Sequence, residues 1–355
     1  MAPVLALEPL RNGVLALAAA VLLLALFLLV QRGLGALARF RTNRREPILT
    51  RLVFGALQDS PVNATQFQKL GRRDRKLVRS ILLGLALDLR GDSGEAISEI
   101  YRQLGFITKD LARLRSWRAT TRANAAADLG LVHCSESTPA LLHALDDRDM
   151  RVRQAAVWAI GQVGRRATLA GLVRLLGDQN LVVAHRAQEV LAERGSEVAD
   201  AILAYAGNTS SRPGRLAATE LIGWLRIGAG AKLLLGFMSD LDPEVRVKSV
   251  KAAAAIGDPV FLETFQSRLE DSSWPVRCQA ARGLSLFGSP ALVPRLSNAL
   301  RDQQWWVRFY AATALAEVGP AGEAALTGAL QDPEPSVREM ARYLLERGNA
   351  VPALP

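Results

Sequence analysis

One spacing governs this chain. Its key position returns every 31 residues, at Arg122, Arg153, Ala184, Arg215, Arg246, Arg277 and Arg308, and once more after 30, at Arg338. Other columns keep the same period. Six residues before the key stand Asp147, Asp178, Asp240, Asp271, Asp302 and Asp332, and eleven after it stand Gly164, Gly195, Gly257, Gly288 and Gly319. Twelve before it the residue is apolar: Leu141, Leu172, Leu203, Leu234, Phe265, Leu296 and Leu326. Several independent columns with one period, inside the range of roughly 20 to 50 residues that marks stacked arrays, argue against a single globular core.

Each tile reads as two short helices. The first carries apolar residues three and four apart, as in PALLHALDD, and the aspartate marks its end. Pro243, Pro275 and Pro335 fall at or just before the second helix, where a missing N–H does no harm. That helix shows a stripe such as Val152, Ala156, Ala159 or Ile160, and Val163, with small residues that allow close helix approach. The glycine behind it suits a left-handed cap. One pair cannot bury its own apolar face, so neighbours must stack. The expected fold is all-α: a solenoid of about eight two-helix repeats over residues 107–348, preceded by one transmembrane helix.

Quoted as DRDMRVRQAAVWAIGQVG from Asp147 and DQQWWVRFYAATALAEVG from Asp302, the tile resembles the HEAT-like repeats named after phycobilin (PBS) lyases, of the form ALxDxxxxVRxxAAxALGxxG. Tile three departs from that form with Ala184 in the arginine's place, and tile four with Thr209 in the aspartate's. The resemblance implies that the aspartates and arginines bond along the stack. Arg153, Arg246, Arg277, Arg308 and Arg338, with the six aspartates, are therefore expected to be structural.

The first 46 residues are unlike the rest. After a short tail, residues 1–12, the run GVLALAAAVLLLALFLLV over 13–30 is uncharged and about as long as a bilayer-spanning helix needs to be. Arg32, Arg39, Arg41, Arg44 and Arg45 follow it in a basic segment, 31–46, against Arg11 alone in front. The positive-inside rule then puts the N-terminus outside and the repeats in the cytoplasm, on the inner membrane, and the same arginines suit anionic lipid heads. Residues 1–115 hold 18 Lys+Arg against 9 Asp+Glu, and residues 116–355 hold 26 against 25, so nearly all of the +10 lies near the proposed membrane. Residues 47–106 read as a helical cap on the array, with a helix over RDRKLVRSILLGLALDL, a turn in which Asp92 or Ser93 caps the next helix, and an end at Gly105. The basic run at 71–79 reads as a solvated helix face. Residues 349–355 read as a loose tail.

Reactive chemistry has no visible carrier. His133, Cys134 and His143 lack a fourth ligand and a metal-site spacing, and no phosphate loop or nucleophile elbow occurs. No enzyme activity, cofactor, metal or small-molecule substrate is expected. A bilin-lyase-like enzyme or chromophore chaperone is the alternative that the family name suggests. A nucleic-acid-binding repeat protein is the further alternative, disfavoured because the array is almost neutral.

The repeat does not account for Trp305, Trp306, Phe309 and Tyr310. Residues four apart share a helix face, so Trp305 belongs beside Phe309 and Trp306 beside Tyr310. Trp274, one period earlier, is expected next to Trp305, and Trp158 is a weaker candidate of the same sort. These six are candidate protein-binding residues or inter-tile packing, the second having an edge because tryptophan is usually largely buried. The function expected is a membrane-anchored cytosolic scaffold or adaptor for a protein partner, a membrane enzyme being one candidate.

Overall fold

Helix follows helix wherever the computed structural model describes the chain, which it does at residues 45–58, 62–89, 91–164 and 166–347. The expected span 13–30, the arginines Arg32, Arg39, Arg41 and Arg44, and the tail 349–355 lie outside these residues. Among the described residues no helix is long and apolar enough to cross a membrane. Two compact units result, one of residues up to Ala112 with Leu131–Cys134, the other of Arg113–Gly130 with the chain from Ser135 onward.

The first unit holds α1 (45–58), α2 (Arg72–Asp88), α3 (Asp92–Gln103) and most of α4 (Phe106–Arg113). Its core is built from Val53, Phe67, Leu82, Ile97, Ile100 and Tyr101. Helix α3 begins at Asp92 itself, with Gly91 at the cap position in a left-handed φ of 63°, so neither Asp92 nor Ser93 caps it through a side chain. The 71–79 run is not simply a solvated face. Arg79 donates to both oxygens of the buried Asp110, at 2.8 and 2.9 Å, and the Tyr101 hydroxyl donates to the same carboxylate. Arg75 donates to the Leu104 carbonyl at 2.9 Å. A buried carboxylate needs such partners because an uncompensated charge in the core is strongly destabilising.

The second unit stacks the tiles. Their second helices are α5 (Ala119–Leu131), α7 (Met150–Val163), α9 (Leu181–Glu193), α11 (Arg212–Trp224), α13 (Pro243–Ile256), α15 (Trp274–Leu284), α17 (Trp305–Glu317) and α19 (Pro335–Arg347). Alternating with them from the second tile on are α6 (Thr138–Ala144), α8 (Arg166–Leu169) continued by a 3-10 segment Ala170–Gly177, α10 (Ala199–Asn208), α12 (Ala231–Phe237), α14 (Leu262–Arg268), α16 (Val293–Ala299) and α18 (Pro320–Ala329). One continuous apolar core runs from Ala126 to Met340. Small residues set the approach of successive second helices: a Cβ on Gly130 would lie 2.6 Å from the Ala159 Cα, and one on Gly223 2.7 Å from the Ala252 Cα.

A ladder of ion pairs joins tile to tile. Arg122 to Asp147, Arg153 to Asp178, Arg246 to Asp271 and Arg277 to Asp302 are two-pronged, Nε and Nη2 each donating to one carboxylate oxygen at 2.6 to 3.0 Å. Arg215 reaches Asp240 with one nitrogen at 2.8 Å. The Nη1 of Arg153, Arg246 and Arg277 also donates to the carbonyl of its own tile's aspartate, as from Arg246 to Asp240 at 2.9 Å, and that of Arg122 donates to the Ser116 carbonyl at 2.9 Å. Each ladder aspartate in turn accepts the N–H two residues on, as Asp271 does from Ser273 at 2.9 Å. The aspartate therefore closes the turn into the second helix and receives the preceding tile. Burial alone would raise the Asp271 carboxyl, yet the hydrogen bonds from Arg246 and the Ser273 N–H outweigh it and hold the group below its usual range. The same balance holds at Asp147 and Asp302.

Two rungs fail, for different reasons. Ala184 and Thr209 stand 25 residues apart, the spacing of every intact rung, so the two departures in the sequence are the halves of one missing pair. Nearby, the Tyr205 hydroxyl occupies the space beside Gly177, Ser211 and Gly214, where a valine stands in other tiles. At the other end the last period is one residue short. Asp332 is taken by Arg301 at 2.5 Å, while Arg308 reaches only the carbonyls of Asp302 and Gln303 and keeps a buried, unbonded Nε. Arg308 thus departs from the expected role, and Arg338 likewise bonds to carbonyls, those of Asp332 and Pro333.

The glycine column is left-handed at Gly195, Gly257, Gly288 and Gly319, but Gly164 departs from the expectation, with a φ of −65°. The column's two non-glycine members among the described residues, His133 and Arg226, adopt the left-handed conformation with φ of 47° and 48°.

Candidate protein-binding surface

Helix α17 sets its rings by simple spacing. Trp305 and Phe309, four apart, stack with centroids 5.2 Å apart and planes at 11°, and Trp306 and Tyr310 stack at 6.4 Å. Trp305 and Trp306 meet edge to face at 4.8 Å, and Phe309 meets Tyr343 of α19 at 6.3 Å. Arg282 of α15 lies over the Tyr310 ring, 5.9 Å from its centroid. Phe309 and Tyr310 rest against the core, whereas Trp305 and Trp306 stand outside it, 43% and 49% exposed.

Trp274 is 41% exposed but does not join this cluster, since among the described residues no ring contact links it to Trp305. The expectation that one period would bring the two indoles together fails, because Trp305 turns along its own helix onto Phe309. Trp158 is half-buried in a groove of about 460 Å³ across α5, α7 and α9, with Arg151, Gln154, His185, Arg186 and Glu189. Its charges are internally paired: Glu189 accepts from Arg186 at 2.8 Å and faces His185 at 3.3 Å, and Arg151 pairs with Asp149. The Arg151 side chain and N–H hold the Asp149 carboxyl at about 2. Arg45, in α1, pairs with Asp74 at 3.4 Å.

Sequence reasoning missed two further tryptophans, Trp117 at 77% and Trp224 at 54% exposure. A signal was present for Trp117, whose column holds Arg148, Gln179, Ser210, Ser272 and Gln303 in other tiles, with Leu241 as a second apolar member, but not for Trp224, whose column mixes Gln162, Glu193 and Glu317 with Leu131, Ala255 and Leu286. None of the six tryptophans is buried. Soluble domains normally sequester such rings, and exposed ones concentrate binding energy at protein interfaces.

Among the described residues no three His, Cys, Asp or Glu side chains gather as metal ligands. Burial pushes the Cys278 thiol up to about 11, which keeps it protonated and unreactive at neutral pH. A larger groove of about 840 Å³ in the first unit is lined by Asp92, Glu95, Ser98, Glu99, Arg102 and His133, where Glu99 and Arg102 pair with each other.

The family model described as HEAT repeats matches residues 108–192 and 262–346. The fold is thus an all-α HEAT-type solenoid, a build suited to protein–protein interaction. No curated protein matches the chain. Among solved structures, an engineered protein is similar at 17% identity and a TM-score of 0.40, over 87% of this chain and 96% of that one. The complex of CpcE and CpcF of phycocyanin lyase from Nostoc sp. is similar at 19% identity and a TM-score of 0.31, over 68% and 93%. Kap121p bound to Nup53p is similar at 14% identity and a TM-score of 0.40, over 84% of this chain and 45% of that one. What those proteins bind or catalyse belongs to them.

Proposed function

We propose that the protein is a scaffold or adaptor that binds a protein partner through its solenoid and is held at the inner membrane by residues 13–30, with the repeats in the cytoplasm. The observation that carries the binding part is the placing of the tryptophans. An array whose core is mostly Leu, Val, Ala and Ile, with Phe261 and Phe265, fully buries none of the six indoles, and on α17 the exposed Trp305 and Trp306 adjoin the half-buried Phe309 and Tyr310. Exposed clustered indoles bring no folding advantage and are disfavoured in solution unless something covers them. The membrane part rests on the uncharged run and the arginines behind it. A partner that is itself a membrane protein, such as a membrane enzyme, fits that placement.

Proximity crosslinking in intact membranes tests this reading. The native chain is compared with Trp305→Ala/Trp306→Ala/Phe309→Ala and with Trp306→Ala alone, since Phe309 contributes to packing. Capture of one defined protein by the native chain, reduced in both variants at unchanged helicity, is the expected result. Capture of no protein by the native chain sinks the adaptor reading, and equal capture by all three moves the binding surface off α17.

A further inference from the structure

The outward faces of α13, α15 and α17 form a strip that differs from its neighbours in charge. On this side Glu220 is held by Lys248 and Glu244 by Arg212. Lys251 and Arg282, one period apart in a single column, are both exposed, and among the described residues neither has a carboxylate within ion-pair distance. Arg282 leans over Tyr310, so the two cations lead directly into the rings of Trp306, Phe309 and Tyr310. The order along the stack is therefore cation, cation, aromatic cluster, one to a tile.

Packed helices lie roughly 8 to 10 Å apart, which sets the step between neighbouring tiles. A polyproline II chain rises about 3.1 Å per residue with three residues per turn, so it returns the same side toward a surface about every 9 Å. Those two periods match. Such a segment also docks on aromatic rings without losing much conformational entropy, because it is already extended. Nucleic acid stacked on the same rings would want further cations, whereas residues 116–355 hold 26 Lys+Arg against 25 Asp+Glu.

We propose that this strip binds an extended acidic, proline-containing segment of the partner protein, with acidic side chains three residues apart on Lys251 and Arg282 and an apolar residue three further on over Trp306 and Tyr310. The proposal rests on the adaptor reading and names the chemistry of its partner.

The test is fluorescence anisotropy of the full chain with a labelled nonapeptide, Glu-Pro-Ser-Glu-Pro-Ser-Leu-Pro-Ser, at low and moderate salt. Saturable binding is expected, weakened about tenfold by Lys251→Glu, Arg282→Glu or Trp306→Ala, and falling with salt. Both charge reversals are at exposed sites and should leave the helicity intact, which circular dichroism checks. The double variant Lys251→Glu/Arg282→Glu should prefer the peptide with both acids replaced by lysine, a reversal that general loss of structure cannot produce. Absence of saturable binding to the native chain, equal affinity of native and charge-reversed chains, or tighter binding of oligothymidylate than of the acidic peptide would each overturn the proposal. If crosslinking still captures a partner that the α17 variants lose while the peptide fails to bind, the adaptor reading stands and this inference alone falls.

Discussion

Left-handed backbone closes the second helix with glycine in tiles three, five, six and seven, and without it in tiles one and four. At Arg226 the Cβ opposes that conformation, and the side chain is exposed. Arg226→Gly should therefore raise stability by about 1 kcal/mol, which for an array of this size is a rise of about 2 to 4 °C in Tm, read by thermal melting. A second residue-scale case is a compensated pair. Gly214 stands where a buried valine stands elsewhere, and a side chain there would overlap the Tyr205 hydroxyl. Gly214→Val should destabilise by roughly 1 to 3 kcal/mol in the native chain and by clearly less with Tyr205→Ala, a coupling that a double-mutant cycle in denaturant measures. Equal penalties in both backgrounds would show that Tyr205 is not the obstacle. The glycine column was legible in the sequence, but its two strained members were not. A histidine and an arginine carry no mark of positive φ, and only the column's register points to them.

Between elements, the rungs are the polar contacts whose loss would strand a buried charge. Asp271 and Arg246 are both largely withdrawn from water, and removing one partner strands the other. Asp271→Ala should accordingly cost about 3 kcal/mol at neutral pH, measured by denaturant unfolding. Since Asp147, Asp271 and Asp302 have carboxyls held below their unfolded values, the stabilisation they give is complete above about pH 4 and is lost as pH falls through the folded values. Thermal melts between neutral and strongly acidic pH should show that loss, with a shallower acid slope in Asp271→Asn. A slope identical to the native one would remove the rung from the acid response. The ladder's existence was readable from two columns of one period. Its two gaps were not, because each depends on a spacing of 25 rather than 31: Ala184 and Thr209 look like separate departures, and Asp332 looks aligned although it falls one residue short of Arg308.

At the scale of the molecule, a stacked array divides its labour by position, each tile meeting its neighbours and water. Repetition made the fold legible, since the period, the apolar stripe and the caps all point to paired helices. The surface was less so, for residues that break a repeat are recognised only against the columns they break, as Trp117 does, and Trp224 sits in a column too mixed to mark it. The same separation bears on the proposed anchor. The described array has a continuous apolar core of its own, from Ala126 to Met340. Removal of residues 1–44 should thus leave the array's melting transition within about 1 °C of the native value, while moving the protein from the carbonate-resistant membrane fraction to the soluble one. The truncated chain should also lose most of its crosslinking to a membrane partner, because tethering raises the local concentration of the site far above what a free protein reaches. A truncated chain that stays with the membrane would place the attachment in the repeats themselves, and one that turns soluble yet captures its partner undiminished would show that affinity alone, without the tether, suffices.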